Sequence, residues 1–311
     1  HIADVDFGKI QLYGGNYDFW YHSSQLAAQL MRDANKKKED KIKELQSFIQ
    51  RFSANKSKSK QATSRKKLLE KIELDDIQPS SRRYPFVGFE IGRELGKEVL
   101  LVENLSKTID GVELLKDITF RINPYEKVGF IGNELSITTL FQILSGEMEP
   151  DSGTVKWGKT VTLSYFPKDN AKYFESSKLN LVEWLRQYSK DPMESYLRGF
   201  LGKMLFSGDD VYKPTNVLSG GEKVRMMLSR MMLNDANTII LDQPTSHLDL
   251  ESIVAVNNGL ISFKGNIFFS GHDTEFMDTI ANRIIHIEDD TFENHLMSYH
   301  EYIEKFIENK E

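Results

Sequence analysis

Hydrophobic side chains along this sequence follow two different periods, and the change between them separates a helical region from the rest. Across residues 18–83 apolar positions recur mostly at three- and four-residue steps, the spacing of one helix face. The charged stretch Lys36–Lys41 interrupts the pattern, which breaks near Ser53–Ser59 and then resumes. Two helices joined by a basic tip are predicted to form an antiparallel hairpin that ends between Pro79 and Pro85.

The first 17 residues are typical of short strands rather than of a helix. Val5–Phe7 and Ile10–Tyr13 lie on either side of Gly8 and predict a strand, a turn and a second strand. A similar order, ending in a helix led by an aromatic residue, recurs at Ile285–Tyr302. We therefore hypothesise that residues 1–17 are the last piece of a preceding copy of the domain that follows.

Residues 86–311 alternate strand-like and helix-like segments, which predicts an α/β domain. The predicted strands are Val99–Val102, Asp117–Ile122, Lys127–Ile131, Val161–Phe166, Thr238–Asp242 and Asn266–Ser270. The predicted helices are Thr138–Leu144, Glu222–Met232 and Thr274–Ala281.

Charge is distributed unevenly along the chain, although its formal net value is only −6. Between Lys36 and Lys71 there are thirteen basic residues and four acidic ones, which gives that stretch +9 and leaves −15 for everything else. Such segregation is typical of a polyanion-binding arm attached to an acidic body.

Composition excludes several classes of chemistry. There is no cysteine, which removes disulfides, thiolate nucleophiles and cysteine-ligated zinc and favours a reducing compartment. No apolar run approaches the roughly 18–20 residues that span a bilayer. A hydrophobic fraction of 40% supports a sizeable core. Because the chain shows no signal peptide and begins at His1, we expect a soluble cytoplasmic protein of which this sequence is a fragment.

The strongest motif for chemistry is Leu218–Lys223, where a serine and two glycines open a helix. A helix N-terminus presents unpaired N–H groups and a partial positive charge. Gly220 and Gly221 let these amides approach an anion closely, and Ser219 adds a hydroxyl. The segment therefore predicts a phosphate-binding surface, against the simpler interpretation of an ordinary serine-capped helix.

An acidic residue at the end of a buried strand predicts a magnesium site. Thr238–Asp242 is an apolar strand that ends in a carboxylate, which can hold Mg²⁺ directly or through water. Thirty residues beyond Asp242, His272 follows a second apolar strand, and a histidine there can contact a terminal phosphate. A lone histidine at a strand end is more often structural, but its spacing from the other motifs favours the functional interpretation.

The segment that should cradle phosphates departs from its pattern. A phosphate-binding loop requires Gly-x-x-x-x-Gly-Lys-Ser/Thr after a strand. Thr138 fits the hydroxyl that binds magnesium, whereas Ser136 and Ile137 stand in the slots of the second glycine and the lysine. Gly132 is one residue too close, and Glu134 brings a negative charge near the phosphates. Since loss of the lysine removes a charge-assisted phosphate contact, the loop is predicted to be damaged.

Together these motifs resemble a nucleotide-binding domain of the ATP-binding-cassette (ABC) superfamily. The resemblance is carried by the signature at 218–223, the Walker B strand at 238–242, a D-loop at Ser246–Asp249 and the switch residue His272, beside a damaged Walker A at 132–139. The stretch Leu241–Asp249 and the basic hairpin resemble the ABC-F group, and within it the bacterial, translation-factor-like branch. The resemblance implies a RecA-like core with a helical subdomain near residues 170–235.

ABC-F proteins carry two cassettes on one chain, joined by a helical linker and without a membrane domain. The resemblance implies that this chain is the C-terminal half of such a protein. It assigns residues 1–17 to the tail of the first cassette, residues 18–83 to a basic helical hairpin linker and residues 84–311 to the second cassette.

In this superfamily two cassettes enclose two ATP molecules with Mg²⁺, and each site takes its Walker motifs from one cassette and its signature from the other. The resemblance implies nucleotide contacts at Gly132, Thr138, Thr139, Asp242 and Lys168, of which Thr138 and Asp242 would also be the metal ligands. Ser219, Gly220, Gly221 and Glu222 would complete the site of the first cassette.

The catalytic positions implied by the resemblance are occupied by Gln243 and His272. Gln243 replaces the usual glutamate, and Lys168 stands at the Q-loop position. An amide cannot act as the general base that a carboxylate can, so we expect the chain's own site to bind ATP weakly or hydrolyse it slowly.

Family members bind the ribosome, and their linker reaches the tRNA held there, so the resemblance implies both as partners. The RNA-binding candidates at the hairpin tip are Lys56, Lys58, Lys60, Arg65, Lys66 and Lys67. No aromatic residue lies between Ser53 and Tyr84, which favours contacts with the RNA backbone over base stacking. An ordinary solvated helix is the alternative interpretation of these charges.

Two other functions remain open on the sequence alone. An ATPase subunit of a membrane transporter would be a single cassette without the basic hairpin. A nucleotide-gated scaffold would bind ATP without hydrolysing it, and measurable ATP turnover by the intact two-cassette protein would exclude it.

Overall fold

The computed structural model divides the chain into two compact units, His1–Arg83 and Tyr84–Glu311. It describes residues 1–6, 9–15, 17–52, 64, 66–67, 69, 82–175, 178–288 and 291–307. Within these ranges no helix combines the length and the apolar character needed to cross a membrane.

The first unit opens with an antiparallel hairpin followed by a long helix. Strands β1 (Ile2–Asp6) and β2 (Lys9–Tyr13) pair with Ile2 opposite Tyr13, as the alternating pattern predicts. Helix α1 spans the 36 residues Tyr17–Phe52. It runs without a break through the charged stretch that interrupts the apolar pattern, because lysine and glutamate are good helix formers. Most of the second arm of the predicted hairpin lies outside the described residues.

A buried tryptophan fixes the start of α1 to the strands before it. The Trp20 side chain is only 3% exposed, and its indole N–H donates a 3.0 Å hydrogen bond to Asp4. The Arg82 guanidinium lies over the indole ring at 4.5 Å and pairs with Asp4 and Asp6. A cation that is both stacked and ion-paired holds the hairpin, the helix start and the end of the unit together.

The second unit is an α/β assembly of strands and helices. Its strands are β3 (Leu100–Ile109), β4 (Val112–Ile122), β5 (Lys127–Gly132), β6 (Ser152–Trp157), β7 (Leu163–Phe166), β8 (Thr238–Asp242), β9 (Asn266–Ser270), β10 (Arg283–Glu288) and β11 (Thr291–His295). Its α-helices are α2 (Glu134–Ser145), α3 (Leu181–Arg186), α4 (Glu194–Lys203), α5 (Gly220–Leu233), α6 (Leu250–Ser262), α7 (Thr274–Ile280) and α8 (Tyr299–Tyr302). Each of the six predicted strands overlaps an observed one.

Two sheets form the framework of this unit. The larger has the order β11-β10-β5-β9-β8-β7, with β11 antiparallel to β10 and the remaining neighbours parallel. The smaller is antiparallel, with the order β4-β3-β6. Buried side chains of α2, such as Leu140 and Phe141, pack with Val102 and Ile122 of the small sheet and Phe268 of the large one. The buried face of α2 therefore joins the two sheets into one apolar core.

The two hairpins, one in each unit, are copies of the same arrangement. Ile2 pairs with Tyr13, and Ile284 pairs with His295, so a constant offset of 282 residues relates every paired position. The sequence pattern alone matched Val5 with Ile285, two residues out of this register. The same offset relates Trp20 to Tyr302, which is 1% exposed and lies 2.9 Å from Nδ1 of His286. In both copies the buried aromatic side chain therefore bonds to the equivalent strand residue, Asp4 in β1 and His286 in β10.

Candidate nucleotide site

Polar side chains collect where four parallel strands end at one edge of the large sheet. The strand register places Asp242 beside Ser270, and Phe166 beside Leu241. Gly132 ends β5, which pairs with β9. Ligands of open parallel sheets bind beyond the carboxyl ends of the strands, so this edge is the candidate site.

The buried carboxylate of Asp242 is the centre of this edge. It is 1% exposed and accepts hydrogen bonds from the hydroxyls of Thr138 at 2.7 Å and Ser270 at 3.0 Å. Burial raises the pKa of Asp242, and the two hydroxyl donors partly oppose that rise. Thr138 and Asp242, the predicted magnesium ligands, are therefore brought together. Ser270 was not predicted as a site residue. It ends the strand next to that of Asp242, and this shared position at the strand ends could have indicated it.

Three residues that the sequence assigned to nucleotide chemistry, Lys168, His272 and Gln243, lie around the Glu134 carboxylate. The carboxylate accepts from the Lys168 ammonium at 2.5 Å and lies 2.8 Å from Nε2 of His272. Gln243 approaches the same imidazole nitrogen at 3.5 Å. The hydrogen bond from Lys168, joined by one from Gln243, lowers the pKa of Glu134, which keeps this carboxyl ionised. The sequence showed the negative charge of Glu134 but not its partners.

The damaged phosphate loop is the first turn of a helix. Helix α2 begins at Glu134, four residues before the predicted start, with Asn133 as its N-cap. The Asn133 side chain accepts the backbone N–H groups of Leu135 and Ser136 at 3.0 and 3.1 Å. These are the donors that an unoccupied helix N-terminus would offer to an anion.

Gly132 allows the end of β5 to lie close to β10. Its φ is +108°, and a Cβ there would lie 2.1 Å from the backbone oxygen of Ile287. The backbone N–H of the next residue, Asn133, donates to that same oxygen at 2.7 Å. Only glycine allows β10 to approach this closely.

The residue in the lysine slot points away from solvent. Ile137 is 3% exposed and belongs to the apolar core around α2. Ser136 and Thr139 are likewise buried, at 3% and 1% exposure. Two residues of this helix, Thr138 and Thr139, were predicted to contact nucleotide. Among the described hydrogen bonds, only that of Thr138 reaches the Asp242 carboxylate at the sheet edge.

These residues do not fit a bound nucleoside triphosphate in this arrangement. The oxygen atoms of Thr138 and Asp242 are suitable for Mg²⁺, but they are hydrogen-bonded to each other. The nearby helix N–H groups are capped by Asn133, and the Lys168 ammonium is already hydrogen-bonded to Glu134. Among the described residues no group of three or more His, Cys, Asp or Glu side chains is placed to hold a metal ion.

The signature segment has a different geometry. Ser219 is the N-cap of α5, and its hydroxyl accepts the Glu222 backbone N–H while the Glu222 carboxylate accepts the Ser219 N–H at 2.9 Å. Ser219 and Gly220 are exposed. A capping box thus fixes the helix start rigidly at the surface, where a partner molecule has access to it.

The signature glycines contact the D-loop closely. A Cβ on Gly220 would lie 3.2 Å from the side chain of His247, and one on Gly221 would lie 3.0 Å from the His247 backbone oxygen. His247 and Gln243 both have positive φ, at 66° and 51°. The loop between β8 and α6 is therefore held in an uncommon conformation against the start of α5.

The basic candidates of the arm are only partly within the described residues. Lys66 and Lys67 are helical and exposed. Lys56, Lys58, Lys60 and Arg65 lie outside the described residues.

Comparisons with protein families match both units. A family model described as "ABC transporter" matches residues 115–246, and a second model with the same description matches residues 3–89. The chain is 66% identical over 306 residues to "Uncharacterized ABC transporter ATP-binding protein YkpA" of Bacillus subtilis, covering 98% of this chain and 57% of that one. It is 32% identical to "Energy-dependent translational throttle protein EttA" of Mycobacterium tuberculosis, covering 93% of this chain and 52% of that one.

Solved structures share the fold of the second unit. A dimeric bacterial ABC transporter cassette superposes with a TM-score of 0.54 at 18% identity, over 64% of this chain and 98% of the cassette. A dimeric cassette in a post-hydrolysis state with ADP and Pi superposes with a TM-score of 0.52 at 19% identity, over 62% of this chain and 97% of that chain. The predicted α/β nucleotide-binding fold is therefore confirmed. The chain spans about half the length of the curated relatives it matches.

Proposed function

The second unit is an ATP-binding-cassette domain of the ABC transporter type, and from that premise we propose that the chain is the C-terminal half of a cytoplasmic two-cassette ABC-F ATPase that acts on the ribosome. Domains of this type bind and hydrolyse ATP. In the proposal, this half supplies its signature to the ATP site of a first cassette, while its own Walker site is degenerate.

The observation that carries the proposal is the extent of the match to the translational throttle protein. That relative aligns with 93% of this chain, which includes the helical first unit. The two solved dimeric cassettes, by contrast, align with 62% and 64% of this chain. Because a relative named for translation shares the arm as well as the cassette, we take translation as the process on which the protein acts.

The repeated hairpin supports a first cassette that precedes the arm. In the second unit the hairpin strand β10 pairs in parallel with β5 of the cassette sheet. Strand β1 is its copy at the constant offset of 282 residues. We infer that β1 closes the sheet of a first cassette in the same way, and that residues 1–17 are its tail.

The signature supports a site shared between two cassettes. Ser219 and Gly220 are exposed at a capped helix N-terminus, where a second cassette can reach them. Placed against the Walker motifs of a first cassette, their hydroxyl and amides would face its terminal phosphate. One active and one degenerate site make the intact protein asymmetric.

The arm supports RNA as the surface on which the protein acts. The stretch between Lys36 and Lys71 carries +9 on a chain of net −6, and Lys66 and Lys67 are exposed on its helical part. Counterion release from RNA phosphates would drive its binding. In the proposal the arm lies on ribosomal RNA and the tRNA held there.

Co-sedimentation of the intact two-cassette protein with ribosomes, with and without ATP and over a salt series, tests the proposal. We expect pelleting that depends on ATP and weakens as salt rises. No pelleting under any nucleotide condition would overturn the ribosomal function and leave the transporter subunit as the alternative. Pelleting without any ATP turnover would identify a nucleotide-gated scaffold instead.

A further inference from the structure

The Glu134 carboxylate contacts Lys168 and His272, two side chains that would contact a terminal phosphate if nucleotide were bound in the degenerate site. Lys168 and His272 both contact Glu134, at 2.5 and 2.8 Å, and Gln243 lies against the same imidazole. The three residues come from three different segments of the chain, which follow β7, β8 and β9 in turn. Their convergence on one side chain is therefore a property of the fold and not of one loop.

We propose that Glu134 is an internal ligand of this site: its carboxylate takes the place of a terminal phosphate and sets the specificity of the site against nucleoside triphosphates. The inference rests on the proposed function, because it explains why one of the two sites stays without nucleotide. It assigns Glu134 a role that the damaged loop pattern does not contain.

The charges around Glu134 account for the exclusion. The Glu134 carboxylate contacts the Lys168 ammonium with one oxygen and the His272 imidazole with the other, and it brings only one negative charge. A triphosphate entering the same space brings several negative charges next to a carboxylate that its Lys168 hydrogen bond keeps ionised. Like charges at contact distance repel, so the nucleotide must displace Glu134 from Lys168 and His272 before it binds.

Asn133 and Thr138 also oppose nucleotide binding, because each already occupies a group that a nucleotide would need. The Asn133 side chain caps the two backbone N–H groups that a phosphate loop would offer. The Thr138 hydroxyl is bonded directly to Asp242. These two contacts remain when Glu134 is replaced, so removal of its charge should restore anion binding only in part.

Nucleotide titration of the 311-residue chain and its Glu134→Gln variant tests the proposal. The probes are Mg·ATP and inorganic tripolyphosphate, measured by isothermal titration calorimetry. We expect weak or undetectable binding to the wild-type chain and an affinity at least about tenfold higher for the variant, a difference of about 1.4 kcal/mol. Glu134→Ala should give the same result, which guards against a misfolded single variant.

The matched control is Glu103→Gln. Glu103 also pairs with a lysine, Lys156, at 2.8 Å, and its side chain is 43% exposed against 44% for Glu134. It lies on β3 of the small sheet, and we expect its replacement to leave both affinities unchanged. Equal affinities of the wild-type, Glu134→Gln and Glu134→Ala chains for either probe would overturn the proposal.

The titration and the co-sedimentation test the two proposals separately. If Glu134 variants gain no affinity but the two-cassette protein pellets with ribosomes in an ATP-dependent way, the internal ligand is wrong and the ribosomal function stands. If the variants gain affinity but no pelleting occurs, the internal ligand stands and the ribosomal function is wrong.

Discussion

At the scale of single residues, the first turns of α2 show how neighbouring side chains are divided between core and site. Ile137 and Thr139 are buried, whereas Thr138 between them reaches the Asp242 carboxylate. The exposed Leu135 lies two residues before Ile137, at 56% exposure against 3%. A lysine at position 137 would therefore enter the core instead of reaching a phosphate.

Ile137→Lys should destabilise the chain without restoring nucleotide binding. Burying an ammonium among apolar side chains while losing the packing of isoleucine is expected to lower the free energy of unfolding by about 3 kcal/mol. Urea unfolding measures the change. Leu135→Lys on the exposed side is the control, with an expected change within about 0.5 kcal/mol. Equal stability of the two variants would show that position 137 can turn its side chain to solvent.

Asp242 predicts a pH dependence of stability. Because burial raises its pKa in the folded state, the carboxyl binds its proton more tightly there than in the unfolded chain. This contribution favours the folded state at low pH and is lost as pH rises through the raised pKa. Asp242→Asn, measured without metal, should therefore increase the melting temperature at pH 7, and its advantage should shrink as pH falls toward 4. An advantage that does not change with pH would contradict the assignment.

At the scale of elements, three helices in the described part of the chain begin with the same capping box. Asn180 and Glu183 start α3, Ser219 and Glu222 start α5, and Ser298 and Glu301 start α8. In each, the cap side chain accepts an N–H of the first turn, and the glutamate accepts the N–H of the cap. The local structure is the same, so a difference in function between them must come from what the helix start contacts.

Ser219→Ala and Ser298→Ala separate the structural role of a cap from a role at an ATP site. Each variant loses the hydrogen bond that the cap hydroxyl accepts and should cost about 1 kcal/mol of stability. Ser298→Ala also loses the bond that its hydroxyl donates to the Glu301 carboxylate, so its loss of stability should be at least as large. In the intact two-cassette protein we expect Ser219→Ala to lower steady-state ATP turnover and Ser298→Ala to leave it unchanged. A parallel loss of turnover in both variants would assign the effect to stability alone.

The bounds of two site-forming strands and the motifs at their ends could be predicted from the sequence because both depend on local patterns. Thr238–Asp242 and Asn266–Ser270 are short apolar runs with polar ends, and the observed strands have the same bounds. The start of α2 was wrong by four residues, since a glycine motif was expected where Asn133 caps a helix. The partners of Glu134 depend on tertiary contacts that no local pattern contains.

At the scale of the whole molecule, charge separates the two units. Because the basic stretch lies in the first and the acidic remainder is spread over the rest, binding to RNA should depend on the arm. In the proposed two-cassette protein, the repeated hairpin would make the root of the arm and the tail of the first cassette one structural element.

Replacing Lys66 and Lys67 by glutamine in the two-cassette protein should weaken ribosome binding at low salt and flatten its salt dependence. Loss of two phosphate contacts is expected to reduce the slope of log K against log salt by roughly 1.5. Co-sedimentation over a salt series measures it. Lys156→Gln with Lys190→Gln removes the same charge from exposed positions of the second unit and should leave the slope unchanged. Equal slopes for both double variants would contradict a role of the arm in RNA binding.

The anchoring of α1 at Trp20 makes the helix a lever. Its 36 residues extend over about 54 Å at the usual rise per residue. Because Trp20 is bonded to Asp4 of β1, a rotation of that strand turns the helix with it. A turn of only about 10° at the root carries the far end through about 9 Å, given a rigid rod of that length. Angstrom-scale closure of a nucleotide site can in this way become nanometre-scale travel at a distant tip.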